Sequence, residues 1–414
     1  MTVVGARPNF MKAAPIIRAL RDFNNSFAMA GEADSGQLPP EGLQHILVHT
    51  GQHYDSRMSG AFLSDLGLPA PDINLSVGSG SHATQTAEIM KKFEEVLLRE
   101  RPEILVVVGD VNSTLACALV GAKVSFDARG TRPLIAHVEA GLRSFDRTMP
   151  EEINRVLTDQ LSDLLFVTEE SGLRNLAAEG VPEEKVHFVG NTMIDSLLDC
   201  IERAETSGIL RRLGLECMTP TNGAASSVSP YSLLTLHRPA NVDCREAFLD
   251  ILEGLEELAQ QCPVIFAAHP RTWRRIQEFG FERYFASNGS DGGARAIRVI
   301  EPLGYLEFLC LMKHAMLVVT DSGGIQEETT CLGVPCVTVR QNTERPVTVE
   351  IGTNILAGTA KEGIAAAIRN RPKPGRRTPP KWDGKAAERI VDVLIKTDRK
   401  PASSLSLPLL ETYA

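Results

Sequence analysis

Five short segments set ionisable side chains directly after apolar runs, where proton transfer and anion binding would need them. Gly5-Ala6-Arg7-Pro8-Asn9-Phe10-Met11-Lys12 joins a run, a glycine turn and a helix start. That order puts Arg7 and Lys12 beside a positive helix terminus, which suits a phosphate or diphosphate. The plainer reading is a βα turn with solvated cations. Ile104–Val108 leads into Gly109-Asp110-Val111-Asn112-Ser113-Thr114. Helix capping explains Asn112 or Ser113 and leaves Asp110 spare for chemistry. His137-Val138-Glu139-Ala140-Gly141-Leu142-Arg143 ends a buried run at Glu139, where an unpaired carboxylate is costly. Pro150 suits a first helical turn, and Glu151 and Arg155 four residues apart share one helix face. A surface salt bridge is the bland account of that pair. Three carboxylates at one mouth, their pKa values pushed apart by burial and like charge, fit acid–base work better.

The second half repeats the pattern. His237 follows the run Leu233–Leu236, and His269 follows another in Ala268-His269-Pro270-Arg271. A lone histidine there is often a satisfied core residue, but two at equivalent strand ends suggest a shared cleft. Thr320-Asp321-Ser322-Gly323-Gly324-Ile325-Gln326-Glu327-Glu328 runs from a strand through a glycine pair into a helix. Glycines let backbone N–H groups approach a diphosphate closely, and Glu328, one turn in, is placed to hold sugar hydroxyls. Ser322, Gly323 and Gly324 could equally be no more than an N-cap. Thr343-Glu344-Arg345-Pro346 adds a further cation.

Strands and helices in alternation must position these groups. Thr2–Val4, Ile46–His49, Ile104–Val108, Leu134–Val138, Leu164–Val167 and Val186–Val189 read as strands, with helices at Met11–Phe23, Ala83–Arg99, Ser113–Val124, Glu151–Leu161 and Ser171–Glu179. A second series follows: strands at Leu233–Leu236, Val264–Ala267, Ala296–Ile300, Leu317–Val319 and Cys336–Val339, and helices at Arg245–Gln261, Leu306–Met312, Ile325–Leu332 and Ala360–Ile368. Unbroken Val/Ile/Leu runs suit parallel strands covered on both faces. The expected class is α/β: two doubly wound Rossmann-like domains facing a cleft, with ligands beyond the C-terminal strand ends. The predicted division is residues 1–190 for the half with the carboxylates and 191–372 for the anion-binding half. A Pro-rich crossing and last helix (Ala386–Ile395) fill 373–400, and 401–414 form a loose tail. Ala30–Gly42, Met218–Pro230 and Ser287–Ala294 read as surface insertions.

Composition narrows the class. The 414 residues carry 43% hydrophobic and 23% charged side chains and a formal net charge of -9. Such a chain can bury large cores, and its acidity disfavours general nucleic-acid binding. The eight cysteines form no CxxC pair, so neither a zinc site nor a disulfide framework is expected, as suits the cytoplasm. Neither a signal peptide nor an apolar run of roughly 18 residues, enough to span a bilayer, is visible. Gly78-Ser79-Gly80-Ser81-His82-Ala83 matches a loose dinucleotide fingerprint. It follows a weak strand and lacks the acidic partner about 20 residues on, so NAD is not expected there.

Taken in order, GARPNFMKAAP, HTGQHYD, GDVNSTLA, HVEAGLRS, MPEEINR, VGNTMIDSL, TLHRPANVD, TDSGGIQEE and TERP resemble the non-hydrolysing UDP-N-acetylglucosamine 2-epimerases from about Val3 to about Gly358. Each motif alone is weak to moderate, and the set is highly specific. The resemblance implies a GT-B-like fold and a UDP-sugar substrate. It also implies a cytoplasmic homodimer and no metal or redox cofactor. By residue, it implies that Asp110, Glu139 and Glu151 share acid–base work and that Arg7 and Lys12 form a basic pair. Arg155 and His237 would contact substrate, Ser322 and Gly323 the phosphates, Glu328 the ribose, and Arg345 UDP.

The sugar C2 proton is not alpha to a carbonyl, so direct deprotonation is unrealistic. The family's route eliminates UDP across C1–C2 to 2-acetamidoglucal and adds it back with C2 inverted, which needs a base, an acid on the other face and a stabilised diphosphate. Members with a second, regulatory UDP-sugar site carry Gln-His-Arg where this chain has Gln52-His53-Tyr54-Asp55. The resemblance therefore does not carry that site over, and His269 is either a remnant of it or structural. The Gly-Gln-His-Tyr-Asp form also occurs in relatives acting on UDP-2,3-diacetamido-2,3-dideoxyglucuronate, which leaves the C3 and C6 substituents open. A hydrolysing epimerase, a glycosyltransferase of the same fold and a non-catalytic UDP-sugar sensor are the competing readings.

Overall fold

Apolar runs flanked by amphipathic segments become central strands with helices on both faces. The computed structural model describes residues 1–31, 42–52, 65–217, 227–285 and 297–397. The first sheet contains β1 (Thr2–Val4), β2 (Leu47–His49), β3 (Ile73–Asn74), β4 (Ile104–Val108), β5 (Leu134–Ala140), β6 (Leu164–Val167) and β7 (Val186–Phe188). Its order is β3-β2-β1-β4-β5-β6-β7, and all pairings are parallel. A small antiparallel ribbon, β8 (Glu216–Cys217) with β9 (Ser227–Val228), precedes the second sheet. That sheet contains β10 (Ser232–Thr235), β11 (Val264–Ala267), β12 (Ile297–Ile300), β13 (Leu317–Thr320), β14 (Cys336–Thr338) and β15 (Asn354–Leu356). Its order, β12-β11-β10-β13-β14-β15, repeats the topology of the first. Strand order reverses between β1 and β4 and between β10 and β13, which opens a crevice at each switch point. The architecture is the expected pair of Rossmann-like sheets.

Several elements differ from the sequence reading. The first helix spans Arg7–Gly31 and absorbs Pro8 in its first turn and Pro15 inside. The long helix expected over Arg245–Gln261 is interrupted at Leu255. Just before the break, Gly254 lets the Lys361–Arg369 helix approach: a Cβ there would lie 2.8 Å from Ile364 Cβ. The Thr192–Glu205 and Pro270–Phe279 helices and the edge strand β15 were not anticipated. Segment Gly78–Ala83 follows the edge strand β3, and Ser81 caps the His82–Glu100 helix by accepting from the Thr84 N–H at 3.2 Å.

The Thr192–Glu205 helix ties the molecule together by packing on the first helix, on Tyr305–His314 and on the last helix, Ala386–Lys396. The chain reaches that last helix through a mostly exposed stretch, Pro372–Lys381. Trp382 then buries completely, and its indole N–H donates to the Thr168 carbonyl at 3.0 Å. Asp195 accepts from the Ala386 and Ala387 N–H groups at 3.2 and 2.7 Å, satisfying the start of the last helix. Among the described residues, no helix is long and apolar enough to cross a membrane. The three segments read as insertions, and the tail 401–414, fall largely or wholly outside the described residues.

Candidate active site

The end of β5 is shaped for function. Pairing with β6 skips between Val138 and Ala140, and Glu139 takes φ 75°. A non-glycine residue held there costs about 1–3 kcal/mol, and such strain concentrates at functional sites. The bulge turns Glu139 inward, where Lys12 from the first helix lies 2.7 Å from its carboxylate. Both side chains are buried.

Asp110 follows β4 on a turn opened by Gly109, at φ 70°. Neither Asn112 nor Ser113 caps the Asn112–Lys123 helix: its N-cap is Val111, with no side-chain bond. Ser113 Oγ instead donates to Gln52 Oε1 at 2.7 Å, and Asn112 donates to Gln85 Oε1 at 2.8 Å. Asp110 pairs with Arg155 at 2.6 Å. Burial alone would raise its carboxyl, but Arg155, Lys12 and Arg345 together hold it below the usual range.

The second half contributes the Gly323–Leu332 helix after β13. Ser322 is its N-cap without a side-chain bond, so N–H groups of its first turn lack intrahelical partners. Gly323 abuts Glu344 and Arg345; a Cβ there would lie 2.6 Å from Glu344 Oε1. Gly324 packs on Met193, whose Cε a Cβ would meet at 2.9 Å. Arg345 joins the two halves, reaching Glu139 at 2.9 Å, Glu327 at 2.8 Å and Glu344 at 3.0 Å. Arg340 also reaches Glu344, at 2.7 Å.

The ion pairs thus link five carboxylates (Asp110, Glu139, Glu152, Glu327, Glu344) to four cations (Lys12, Arg155, Arg340, Arg345). Among the described residues these carboxylates outnumber the cations by one. Burial, with Glu139 nearby, outweighs Arg345 and pushes Glu327 up to about 7. Burial also raises Glu328 to about 7, helped by Glu327, although the Tyr305 hydroxyl donates to it at 2.9 Å. Glu169 is raised to about 7 by burial, with Glu327 adding repulsion. Glu344 is the opposite case: burial is outweighed by Arg345 and Arg340, which hold it far below the usual range.

Not every anticipated residue joins this cluster. The predicted Glu151–Arg155 pair does not form: Arg155 binds Glu152, three residues away, while Glu151 is exposed. The helix turns Glu152 inward instead, and its carboxylate also accepts from the Ser144 and Phe145 N–H groups, each at 2.9 Å. Glu151 lies within electrostatic reach of Arg238. His237 is exposed, with Nδ1 2.8 Å from the buried Asp321. His269 is an exposed N-cap whose ring accepts from the Arg271 N–H at 3.2 Å. Arg7 opens the first helix, but its side chain, like His53, Tyr54 and Asp55, lies outside the described residues.

Sequence reasoning passed over Glu152, Glu169, Glu327, Glu344 and Arg340. A partial signal was present: adjacent residues on a helix point in different directions, so Glu151 and Glu152 could not share surroundings and only Glu152 is buried, whereas Glu327 and Glu328 are both buried. Glu205, Cys310 and His314 also gather, with ligand atoms within 4.8 Å of one another. They sit on helices away from the strand ends, and Lys313 and His314 already pair with Glu205.

Comparison with known proteins fits this geometry. The family model described as UDP-N-acetylglucosamine 2-epimerase matches residues 39–395. The UDP-N-acetylglucosamine 2-epimerase of Methanocaldococcus jannaschii is 43% identical over 397 residues, covering 95% of this chain and 97% of that protein. The UDP-2,3-diacetamido-2,3-dideoxy-D-glucuronate 2-epimerase of Pseudomonas aeruginosa is 37% identical, covering 89% of this chain and 91% of that protein. A crystal structure of the M. jannaschii enzyme with UDP-GlcNAc and UDP superposes with TM-score 0.78 at 42% identity, covering 95% of this chain and 98% of that one. With the same paired sheets and motifs along its length, this chain belongs to the UDP-N-acetylglucosamine 2-epimerase family.

Proposed function

We propose that the protein interconverts UDP-N-acetylglucosamine and UDP-N-acetylmannosamine without net hydrolysis, by eliminating UDP across C1–C2 and adding it back. One observation carries this reading: Glu139, on a strained strand end of the first sheet, meets Arg345 beside the open helix start of the second. Proton-transfer and phosphate-binding groups thereby share one cleft. Residues 1–190 supply the acid–base half and 191–372 the UDP-binding half. The helix start at Ser322–Gly324, with Arg345 and Arg7, holds the diphosphate, and Glu328 holds the ribose. His237, kept in place by Asp321, completes that wall with Arg155. Asp110, Glu139 and Glu151 divide the removal and return of the C2 proton. Lys12 holds the buried Glu139 carboxylate in place. Closing the cleft keeps the glycal and UDP together until re-addition.

Incubation with UDP-N-acetylglucosamine in D2O tests the reading. The expected product is UDP-N-acetylmannosamine carrying deuterium at C2, with UDP still attached at equilibrium. Free N-acetylmannosamine as the main product would mean a hydrolysing enzyme, and transfer to an added acceptor a glycosyltransferase. A UDP-sugar with acetamido groups at C2 and C3 and a C6 carboxylate is the second substrate to assay, since a relative bears that name. Faster turnover of it would move the assignment to that sugar.

A further inference from the structure

His137 lies fully buried in the middle of β5, two residues before Glu139. Its Nδ1 is 2.6 Å from Asp159 Oδ1 and its Nε2 is 2.8 Å from the Gly109 carbonyl oxygen. A neutral imidazole offers one donor and one acceptor nitrogen, whereas a protonated one donates from both. A carbonyl oxygen can only accept, which makes Nε2 a donor. Asp159 can only accept if it is ionised, and its surroundings favour that form. Its Oδ2 lies 2.7 Å from the Arg143 guanidinium and accepts from the Gly141 N–H at 3.0 Å. Burial opposes the charge, yet His137 and Arg143 hold this carboxyl below the usual range. Both nitrogens of His137 therefore face acceptors.

We propose that His137 is a positioning residue that donates from both ring nitrogens and so fixes, with Asp159, the two turns carrying Asp110 and Glu139. Its Nε2–H holds the carbonyl of the Gly109–Asp110 peptide, while Asp159 holds the N–H of Gly141, two residues beyond Glu139. One charged pair thus sets the spacing between two proton-transfer groups on neighbouring strands. The charged groups joined to it are Asp159 directly, Arg143 through Asp159 and Glu179 through Arg143. On the flanking strands β4 and β6, Val107 and Leu165 stand opposite His137 and offer no charge. The role rests on the proposed epimerase reaction; the charge state does not.

The test uses the full-length protein labelled with 15N-histidine. Long-range 1H–15N spectra at neutral pH should show a proton on both ring nitrogens of His137. Asp159→Asn should convert it to a singly protonated ring. His137→Gln should lower kcat by about 100-fold, the scale of a misplaced reacting group, with UDP affinity and KM little changed. If His137→Gln does not fold, kcat and KM of Asp159→Asn carry the same test. A single ring proton in the wild type, or an unchanged kcat in the folded variant, would overturn the proposal. Absence of C2 deuteration by the wild type would instead remove the reaction and leave the spectroscopic result standing.

Discussion

At the residue scale, the carboxylates differ in how they are held, and the differences predict kinetics. Asp110 and Glu139 are each paired directly with buried cations, Asp110 with Arg155 and Glu139 with Lys12 and Arg345. Glu151 is exposed and forms no ion pair among the described residues. Asp110→Asn, Glu139→Gln and Glu151→Gln should each reduce kcat by roughly 10²–10⁴-fold while UDP affinity changes far less. Steady-state rates and calorimetric UDP binding check this; unchanged rates in all three would remove their assigned chemistry. Glu328 makes a second prediction. Its folded pKa of about 7 lies above the unfolded value of about 4.3. Between those values the native state holds a proton that the unfolded chain has lost, so stability falls as pH rises through that window and stays low above it. Glu328→Gln keeps an acceptor for Tyr305 and removes the titration. Above pH about 7 it should be more stable than wild type by about 1–3 kcal/mol, a gain absent below pH about 4, and its UDP affinity should drop. Denaturant unfolding across pH measures the first effect.

At the element scale, the Gly323 helix start depends on the absence of a side chain. Gly323→Ala would drive a Cβ to within 2.6 Å of Glu344 Oε1, displacing the carboxylate and with it Arg345. The fold should lose about 1–3 kcal/mol, the usual cost of overpacking, and UDP should bind more weakly, as titration calorimetry would show. This element was legible in the sequence because a run of Leu-Val-Val-Thr, a glycine pair and an amphipathic stretch leave one way to fold. The same holds for the Asp110 turn and for the end of β5. What sequence could not show was pairing between distant segments. Spacing made Arg155 a partner for Glu151, yet the tertiary position of Asp110 and the inward tilt of the helix gave it Asp110 and Glu152. The short edge strand β15 gave a weak signal because only three residues pair. The Thr192–Glu205 helix lies where the division between the halves is predicted, and its amphipathic face packs on both of them.

At the scale of the whole molecule, the last helix belongs spatially with the first. Trp382 is the anchor, wholly buried with its N–H bonded to the Thr168 carbonyl. Trp382→Ala should cost about 3–5 kcal/mol, as large aromatic deletions in cores do. Cooperative unfolding by urea would check this, and a loss under about 1 kcal/mol would mean that the anchor contributes little. The Glu139–Arg345 pair is another contact between the halves, made from inside the cleft. The return of residues 386–396 to the first helix also bears on biosynthesis. A nascent chain still attached to the ribosome can assemble its first seven strands but lacks the helix that covers one flank of them. That flank, where Leu20 and Leu197 share a core with Ile390 and Leu394, stays open to chaperones until residues 386–396 have been made and have docked, so the half made first is completed late.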